Sequence, residues 1–313
     1  IWKPANLTPA SAWALAEIIS RAGLPEGAFQ LVMGPGGAVG QRVAADPRID
    51  AVTFTGSLAV GRQVAAAAVP NFTKVQLELG SKNALVVMDD ADLDLAVEAA
   101  LVGGYSGTGQ KCTASSRLVV HEKVHDAFVE RLAARLGSMK VGHALDPETE
   151  MGPVASAAQL EENLAWMERA RAEGARVVTG GERLNRPTRG HYMSPALLAE
   201  TTNDMSFNRE EMFAPIAAVI PVGSYEEALA VTNDTEYGLV AGICTRSLAR
   251  ASHFRRHAET GCVMVNLPTA GTDYHVPFGG RKNSSYGPRE QGRAAVEFYT
   301  HVKTAYTRPG APE

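Results

Sequence analysis

"AVTFTG", Ala51 to Gly56, is a β-branched and aromatic run that ends at a glycine and leads directly into a helix over Ser57–Val69. Runs of this kind read as strands. The same succession of strand, turn and helix recurs on both sides. Upstream, Pro9–Leu24 sets Trp13, Leu15, Ile18 and Ile19 on one helical face, and Gly23 closes it. "AFQLVMG" (Ala28–Gly34) reads as a strand, with a short helix behind it in "VGQRVAADP". Downstream, "KVQLELG" (Lys74–Gly80), "ALVVMDD" (Ala84–Asp90), "SRLVVHEKV" (Ser116–Val124) and "ARVVTGG" (Ala175–Gly181) read as strands. Helices are expected from the cap at Asp92 to Val102, and over Val124–Met139, Ala155–Glu173 and Leu248–Ala258. "LVAGICT" and "CVMVN" are near-continuous apolar runs, as in strands buried on both faces of a parallel sheet. Strands separated by helices argue for parallel α/β sheets rather than an antiparallel barrel or sandwich. The tail "AVEFYTHVKTAYT" alternates Val296, Phe298, Thr300 and Val302 against polar partners and reads as a terminal strand. "RPGAPE" behind it is expected to fray.

The composition bounds the function. At 313 residues and 45% hydrophobic, the chain can build one large domain or two smaller ones. Its formal net charge of -4, with no run of lysine and arginine, excludes a basic face for nucleic acid. No apolar stretch is long enough to span a bilayer. Three cysteines, none in CxxC spacing, argue against a disulfide framework and for a reducing compartment, read as the cytoplasm. The histidines form no HExxH motif, so no metal is expected. The opening "IWKPANLTP" reads as a strand end running into a helix, as in a fragment of something longer.

Four features carry chemistry. "GPGGAVG" (Gly34–Gly40) and "FTGSLAVG" (Phe54–Gly61) are glycine turns between a strand and a helix, where backbone approaches a ligand and a helix N-terminus favours phosphate. Neither is GxGxxG, and each alone reads equally as a connection. Glu78 ends an apolar strand, the place where open α/β sheets gather catalytic groups; a lone acid there is by default a solvated one. Cys112 lies among Gly, Gln, Lys, Thr and Ser. Free cysteine is ordinarily a buried small hydrophobe, and Cys244 and Cys262, inside apolar runs, are read that way. Cys112 is expected instead in a polar, accessible turn, with Lys111 favouring the thiolate.

Together these features resemble the aldehyde dehydrogenase superfamily. "FTGSLAVG" is similar to its cofactor turn, "LELGSKN" to its glutamate signature and "GQKCTASSR" to its cysteine signature. "EEMFAPI" (Glu210–Ile216) is similar to its EE-x-F-G-P motif and "PFGGRK" (Pro277–Lys282) to its late loop, all in family order. The resemblance implies a fold: a Rossmann-like parallel-sheet cofactor domain, incomplete at its N-terminus, over residues 1–80. An α/β catalytic domain would follow over 81–285, and a tail with an oligomerisation strand over 286–313. It implies Cys112 as nucleophile, forming a thiohemiacetal and then a thioester, and Glu78 as general base. The Cys112 N–H would be half of an oxyanion hole. Lys3 would bind the adenine ribose, with Gly36, Gly56 and Ser57 along the adenosine and pyrophosphate. Glu211 would hold the nicotinamide ribose and Phe213 would pack beside the ring. A homodimer or homotetramer acting on a small-molecule aldehyde is implied, with no membrane or nucleic-acid partner.

Departures from the pattern shape further expectations. The family's second oxyanion donor, an asparagine upstream of "KPA", would precede Ile1, so this polypeptide alone is expected to have little or no activity. Ser81 stands for the usual second glycine of the glutamate signature and Ala214 for the glycine of EE-x-F-G-P. "SSYGPREQG" running into "EFYTHVKTAY" resembles the bacterial α-ketoglutarate semialdehyde (2,5-dioxovalerate) dehydrogenase branch. Asn6 stands where NAD-preferring members often carry glutamate, which points to NADP at least as well as NAD. A dicarboxylate-forming substrate would suit Arg281 or Arg289. Two other classes stay open: a non-redox cysteine hydrolase or acyltransferase, and a non-catalytic fragment with the family fold.

Overall fold

The computed structural model describes residues 1–310. In chain order the first elements are α1 (Pro9–Arg21), α2 (Gln41–Ala45), β1 (Ala51–Thr55), α3 (Leu58–Ala68), β2 (Lys74–Glu78), β3 (Asn83–Val87), α4 (Leu93–Tyr105), β4 (Ser115–His121) and α5 (Glu122–Ser138). Then come α6 (Ala157–Ala172), β5 (Arg176–Thr179), the short β6 (Arg183–Leu184) and β7 (Tyr192–Met193), β8 (Ala196–Ala199), α7 (Ser206–Arg209) and β9 (Ile216–Val222). The chain continues with α8 (Tyr225–Asn233), β10 (Tyr237–Gly238), β11 (Val240–Cys244), α9 (Leu248–His257), β12 (Cys262–Val265), β13 (Arg281–Lys282), β14 (Ser285–Tyr286) and α10 (Gly292–Tyr299).

Seven strands form the main sheet in the order β12-β11-β3-β4-β9-β8-β5. Every pair in it is parallel except β8 with β5. Its strands read as unbroken apolar runs because both faces are covered. Leu85 and Val87 pack with Leu118 and Val120 under α4 and α5, where Phe128 and Leu132 close the layer. Their neighbours Ala84 and Val86 face the other way, with Val119, Ile243 and Phe254, under α8 and α9. The strand period of two thus splits one sequence between two cores.

Caps set the helix starts. Asp92 accepts from the N–H groups of Asp94 and Leu95 at the head of α4, and Ser57 accepts from Val60 at the head of α3.

A second, three-stranded sheet runs β1-β2-β14. β1 and β2 are parallel, and β14 joins β2 antiparallel. The chain passes from the end of β2 in this sheet to the start of β3 in the other within four residues, 79–82.

Two expectations need correction. The first part of the tail is not a strand: Gly292–Tyr299 is helical, while residues 300–310 make no strand pairing within this chain. The alternation of Val296 and Phe298 is also compatible with a helical face, and Phe298 is the residue this helix buries. A strand needs a sheet edge to complete it, and none among the described residues pairs with this segment. The last three residues of "RPGAPE" lie outside the described residues. Ala28–Gly34 is not a full strand either. It makes one parallel bridge, Leu31 with Trp2, through Trp2 N–H to Gln30 O at 2.7 Å and Val32 N–H to Trp2 O at 2.9 Å. Finally, α1 forms as read, but its apolar face is open: Trp13 is 64% and Ile18 58% exposed, and Ala12 alone is buried.

One buried cation ties the main sheet to its loops. Arg117 on β4 is 1% exposed. It donates to Lys82 O at 3.0 Å, Asn203 Oδ1 at 2.9 Å, Val231 O at 2.8 Å and Thr232 O at 3.1 Å. Arg117→Met leaves these acceptors buried without donors, so it is expected to destabilise the fold by about 3 kcal/mol or more. Urea unfolding checks this: the midpoint should fall with no change in slope.

Candidate active site

Glu78 is the last residue of β2 and pairs with Thr55 on one side and Ser285 on the other. That central position buries it; it is 2% exposed. Ser285 Oγ donates to Glu78 Oε2 at 2.8 Å, while Oε1 has no partner among the described residues. Burial pushes the carboxyl up to about 7; Ser285 opposes this, the nearby Glu290 carboxylate adds to it, and Arg289 opposes it. A carboxyl poised there suits a general base at neutral pH. Gly279, at φ +151°, passes over this carboxylate; a Cβ there would lie 2.8 Å from Glu78 Oε1.

Cys112 follows three consecutive left-handed residues, Gly107, Thr108 and Gly109, with φ of 62°, 60° and 65°. They turn the chain from α4 back to the start of β4. The close approach of Gly109 to the Ala214 carbonyl leaves no room for a side chain. The turn does not present an open thiol. Cys112 is half-buried and packs with Cys262 and Met264 against Leu239, Val240 and Phe278. Nor does Lys111 favour the thiolate, since its amine turns away to Ser106 Oγ at 3.3 Å. Burial, and then the charges of Glu78 and Glu211, push the Cys112 thiol up to about 11, while the N–H groups of Cys112 and Thr113 oppose the shift. The polar neighbours in sequence are not the neighbours in space.

The cofactor candidates fall into two groups. At one end, Lys3 Nζ lies 3.4 Å from Asn6 Oδ1. Asn6, Pro4, Ala5, Met33, Gly34 and Pro35 line an open cleft of about 300 Å³. Gly36 opens the turn beyond it, at the start of a short π-helical stretch, Gly36–Gly40. Gly56 donates to Glu78 O at 3.0 Å, and Ser57 caps α3. The cleft adjoins the head of α1 at Pro9 and the turn at Gly34–Pro35, whereas Gly56 and Ser57 lie beside Glu78 rather than in its lining. At the other end, Glu211 Oε1 accepts from Ser81 N–H at 2.9 Å, and its carboxylate lies against Gly80, where no side chain would fit. Burial raises the Glu211 carboxyl. Phe213 follows with φ +52° and is 38% exposed. Glu78, Cys112 and Glu211 thus meet around the Gly80–Lys82 link. Lys3 and Asn6 sit apart, on the segment that bridges to Leu31.

The two arginines part company. Arg281 is exposed on β13, beside Glu259. Arg289 donates to Gly280 O at 2.7 Å and lies near Glu78 and Cys262. Among the described residues, no group of three or more His, Cys, Asp and Glu is placed to hold a metal ion, and no helix is long and apolar enough to cross a membrane.

Several residues here were passed over in the sequence. Ser285 and Glu290 lie in "SSYGPREQG", where neither is marked by its own neighbours as a partner of Glu78, and Cys262 reads in sequence only as an inert thiol. Asn83 is buried and bonds to Cys112 O; its place inside the glutamate signature was the available signal.

The profile of the aldehyde dehydrogenase family matches residues 1–305. The chain belongs to the aldehyde dehydrogenase family. It is 41% identical to the alpha-ketoglutaric semialdehyde dehydrogenase of Bacillus subtilis (strain 168), over 98% of this chain and 63% of that protein. It is 44% identical to a betaine aldehyde dehydrogenase of Cereibacter sphaeroides (strain ATCC 17029 / ATH 2.4.9), over 99% of this chain and 63% of that one. Among family structures, a betaine aldehyde dehydrogenase mutant from Staphylococcus aureus in complex with NAD+ superposes with a TM-score of 0.91 at 33% identity. That match covers 95% of this chain and 60% of the other. HpcC from Thermus thermophilus superposes with a TM-score of 0.93 at 39% identity, over 99% and 62%. The chain therefore spans a little under two thirds of the family proteins it matches.

Proposed function

We propose that the protein oxidises an aldehyde to a carboxylate with NAD or NADP, with Cys112 as nucleophile and Glu78 as base. The observation that carries this reading is the convergence of a buried carboxyl near 7 and a half-buried thiol at the Gly80–Lys82 link, next to Glu211. The thiol gives up its proton to the Glu78 carboxylate, and Sγ bonds to the aldehyde carbon to form a thiohemiacetal. The N–H of Cys112 faces the oxygen that gains charge. An oxidised nicotinamide held beside Glu211 and Phe213 would supply the hydride acceptor for this carbon, and loss of the hydride leaves a thioester on Cys112. Glu78 releases that first proton to solvent and then takes one from water, whose hydroxide adds to the thioester; the C–S bond breaks, Cys112 leaves as a thiolate that takes the proton back from Glu78, and the carboxylic acid is released. Glu211 and Phe213 would flank the nicotinamide end, and Lys3, Asn6, Gly36, Gly56 and Ser57 the adenosine end.

The substrate we infer carries a distal carboxylate, as in α-ketoglutarate semialdehyde. Overall identity favours neither kind of relative. The chemistry around the thiol does favour one. Arg289 is placed beside Cys262 and Glu78, whereas a quaternary ammonium calls for an aromatic cage, and Tyr274 of the neighbouring 267–276 loop is 84% exposed. The test follows NAD(P)H absorbance with α-ketoglutarate semialdehyde and with betaine aldehyde. In a protein extended upstream of Ile1 to the length of its relatives, a higher kcat/KM for the semialdehyde is expected; preference for betaine aldehyde would reverse the assignment, and no aldehyde-dependent reduction by that longer protein would remove the oxidoreductase reading.

Asn6 argues for NADP use. It is neutral and stands beside Lys3 in the cleft, so nothing there repels a 2′-phosphate. Asn6→Glu is expected to raise KM for NADP relative to NAD by about tenfold, the factor given by roughly 1.4 kcal/mol. An unchanged ratio of the two constants counts against this role.

A further inference from the structure

Asn83 has all four hydrogen-bonding positions of its amide filled, each from a different residue. Its Oδ1 accepts from Ser81 Oγ at 2.7 Å and from Val240 N–H at 3.0 Å. Its Nδ2 donates to Cys112 O at 2.8 Å and to Ala114 O at 2.9 Å. The orientation of the amide is forced, because one side faces an N–H and the other faces two carbonyls. The residue is 3% exposed and begins β3, with Ser115 of β4 as its register partner. Ser81 is the position at which this chain departs from the glutamate signature. Its hydroxyl completes the set at Asn83, and its N–H holds Glu211.

We propose that Asn83, with Ser81 as its support, is a positioning residue that holds the Cys112 turn so that the N–H groups of Cys112 and Thr113 face the sulphur and the oxygen developing next to it. Both carbonyls that Asn83 grips, those of Cys112 and Ala114, belong to the turn that follows the three left-handed residues. That turn is otherwise closed locally by Ala114 N–H to Lys111 O at 3.0 Å. Holding the Cys112 carbonyl fixes the peptide plane it shares with Thr113 N–H, and the bond from Ala114 N–H to Lys111 O, braced by the grip on Ala114, fixes the plane that carries Cys112 N–H. The same amide reaches β11 through Val240, which also packs against the Cys112 side chain. The thiol's backbone and its apolar wall are therefore referred to one side chain.

The proposal rests on Cys112 being the nucleophile, and the test separates the two. Two reactions of Cys112 are compared in the same protein, with no cofactor required. In acetylation by p-nitrophenyl acetate, an S–C bond forms, p-nitrophenolate leaves, the thiol proton passes to base, and an oxyanion develops on the way. In alkylation by iodoacetamide, an S–C bond forms and iodide leaves, with no oxyanion. Peptide mass spectrometry reads the modification at Cys112 apart from Cys244 and Cys262. In Asn83→Ala the ratio of acetylation to alkylation rates is expected to fall by about tenfold, a fraction of what loss of a whole oxyanion donor costs. In Ser81→Gly, which removes one supporting bond, it should fall by about threefold. A purely structural role loosens the turn and moves both rates together, leaving the ratio unchanged, and that result overturns the proposal. If Asn83→Ala fails to fold by circular dichroism, Ser81→Gly decides alone by the same criterion. A wild-type protein in which Cys112 is alkylated but never acetylated overturns the nucleophile assignment, and this proposal with it.

Discussion

In a protein extended upstream of Ile1 to the length of its relatives, Cys112→Ala is expected to abolish aldehyde-dependent NAD(P)H formation, a loss of about 10⁴-fold or more, because neither of the other two thiols is placed to form the covalent intermediate. The two other thiols do not rescue it. Cys244 is buried within β11. Cys262 is half-buried beside Cys112, but its thiol leans on Gly279 O at 3.9 Å and is also pushed up by burial. Turnover by stopped-flow absorbance, with mass spectrometry for acyl-enzyme at Cys112, checks the expectation. Residual turnover within tenfold of wild type would move the nucleophile elsewhere.

Glu78→Gln follows from the same electrostatics. With the thiol near 11, only about 10⁻⁴ of it is thiolate at pH 7, so attack depends on a base in contact with the site. The substitution should lower kcat by about 10²- to 10⁴-fold and remove the rise of rate with pH through about 7. Stability should move the other way. The folded value of Glu78, about 7, lies above the ordinary 4.5, so the folded state holds that proton more tightly between the two. The stabilisation is complete below about pH 4.5 and is lost as pH rises through 7. Glu78→Gln has no such slope, and at pH 8 it should be more stable than wild type by about 2 kcal/mol. Melting at pH 5 and pH 8 reads this. A variant that is both slower and less stable at pH 8 would mean that Glu78 is a structural residue.

The fold was largely legible because its strands are short, fully buried and punctuated by glycine. Ala84–Val87 and Val240–Cys244 allow no other reading, and Asp92 and Ser57 announce the helices they cap. The tail misled because eight residues with Val296 and Phe298 satisfy period two and period 3.6 about equally, and only a sheet partner could have decided. The site was legible as a set of residue types and illegible as an environment. Glu78 and Cys112 carry their chemistry in their side chains, whereas the shift of each is set by burial, which no local window contains. Lys111 shows the difference most directly: adjacent in sequence to Cys112, it points to Ser106. Asn83 is the converse case, 29 residues from Cys112 and bonded to it.

The bond from Ser285 to Glu78 spans 207 residues of chain. At ordinary rates of synthesis, roughly 10–40 s separate the emergence of the carboxylate from that of its hydroxyl donor. For most of that interval, once Cys112 has followed Glu78, the newborn polypeptide holds a thiol and an acid with the third strand of the small sheet still unmade. The surroundings of Glu78 and Cys112 are therefore finished long after the two residues themselves, and a stall anywhere before residue 285 yields a chain that cannot close around the carboxylate proposed as its base.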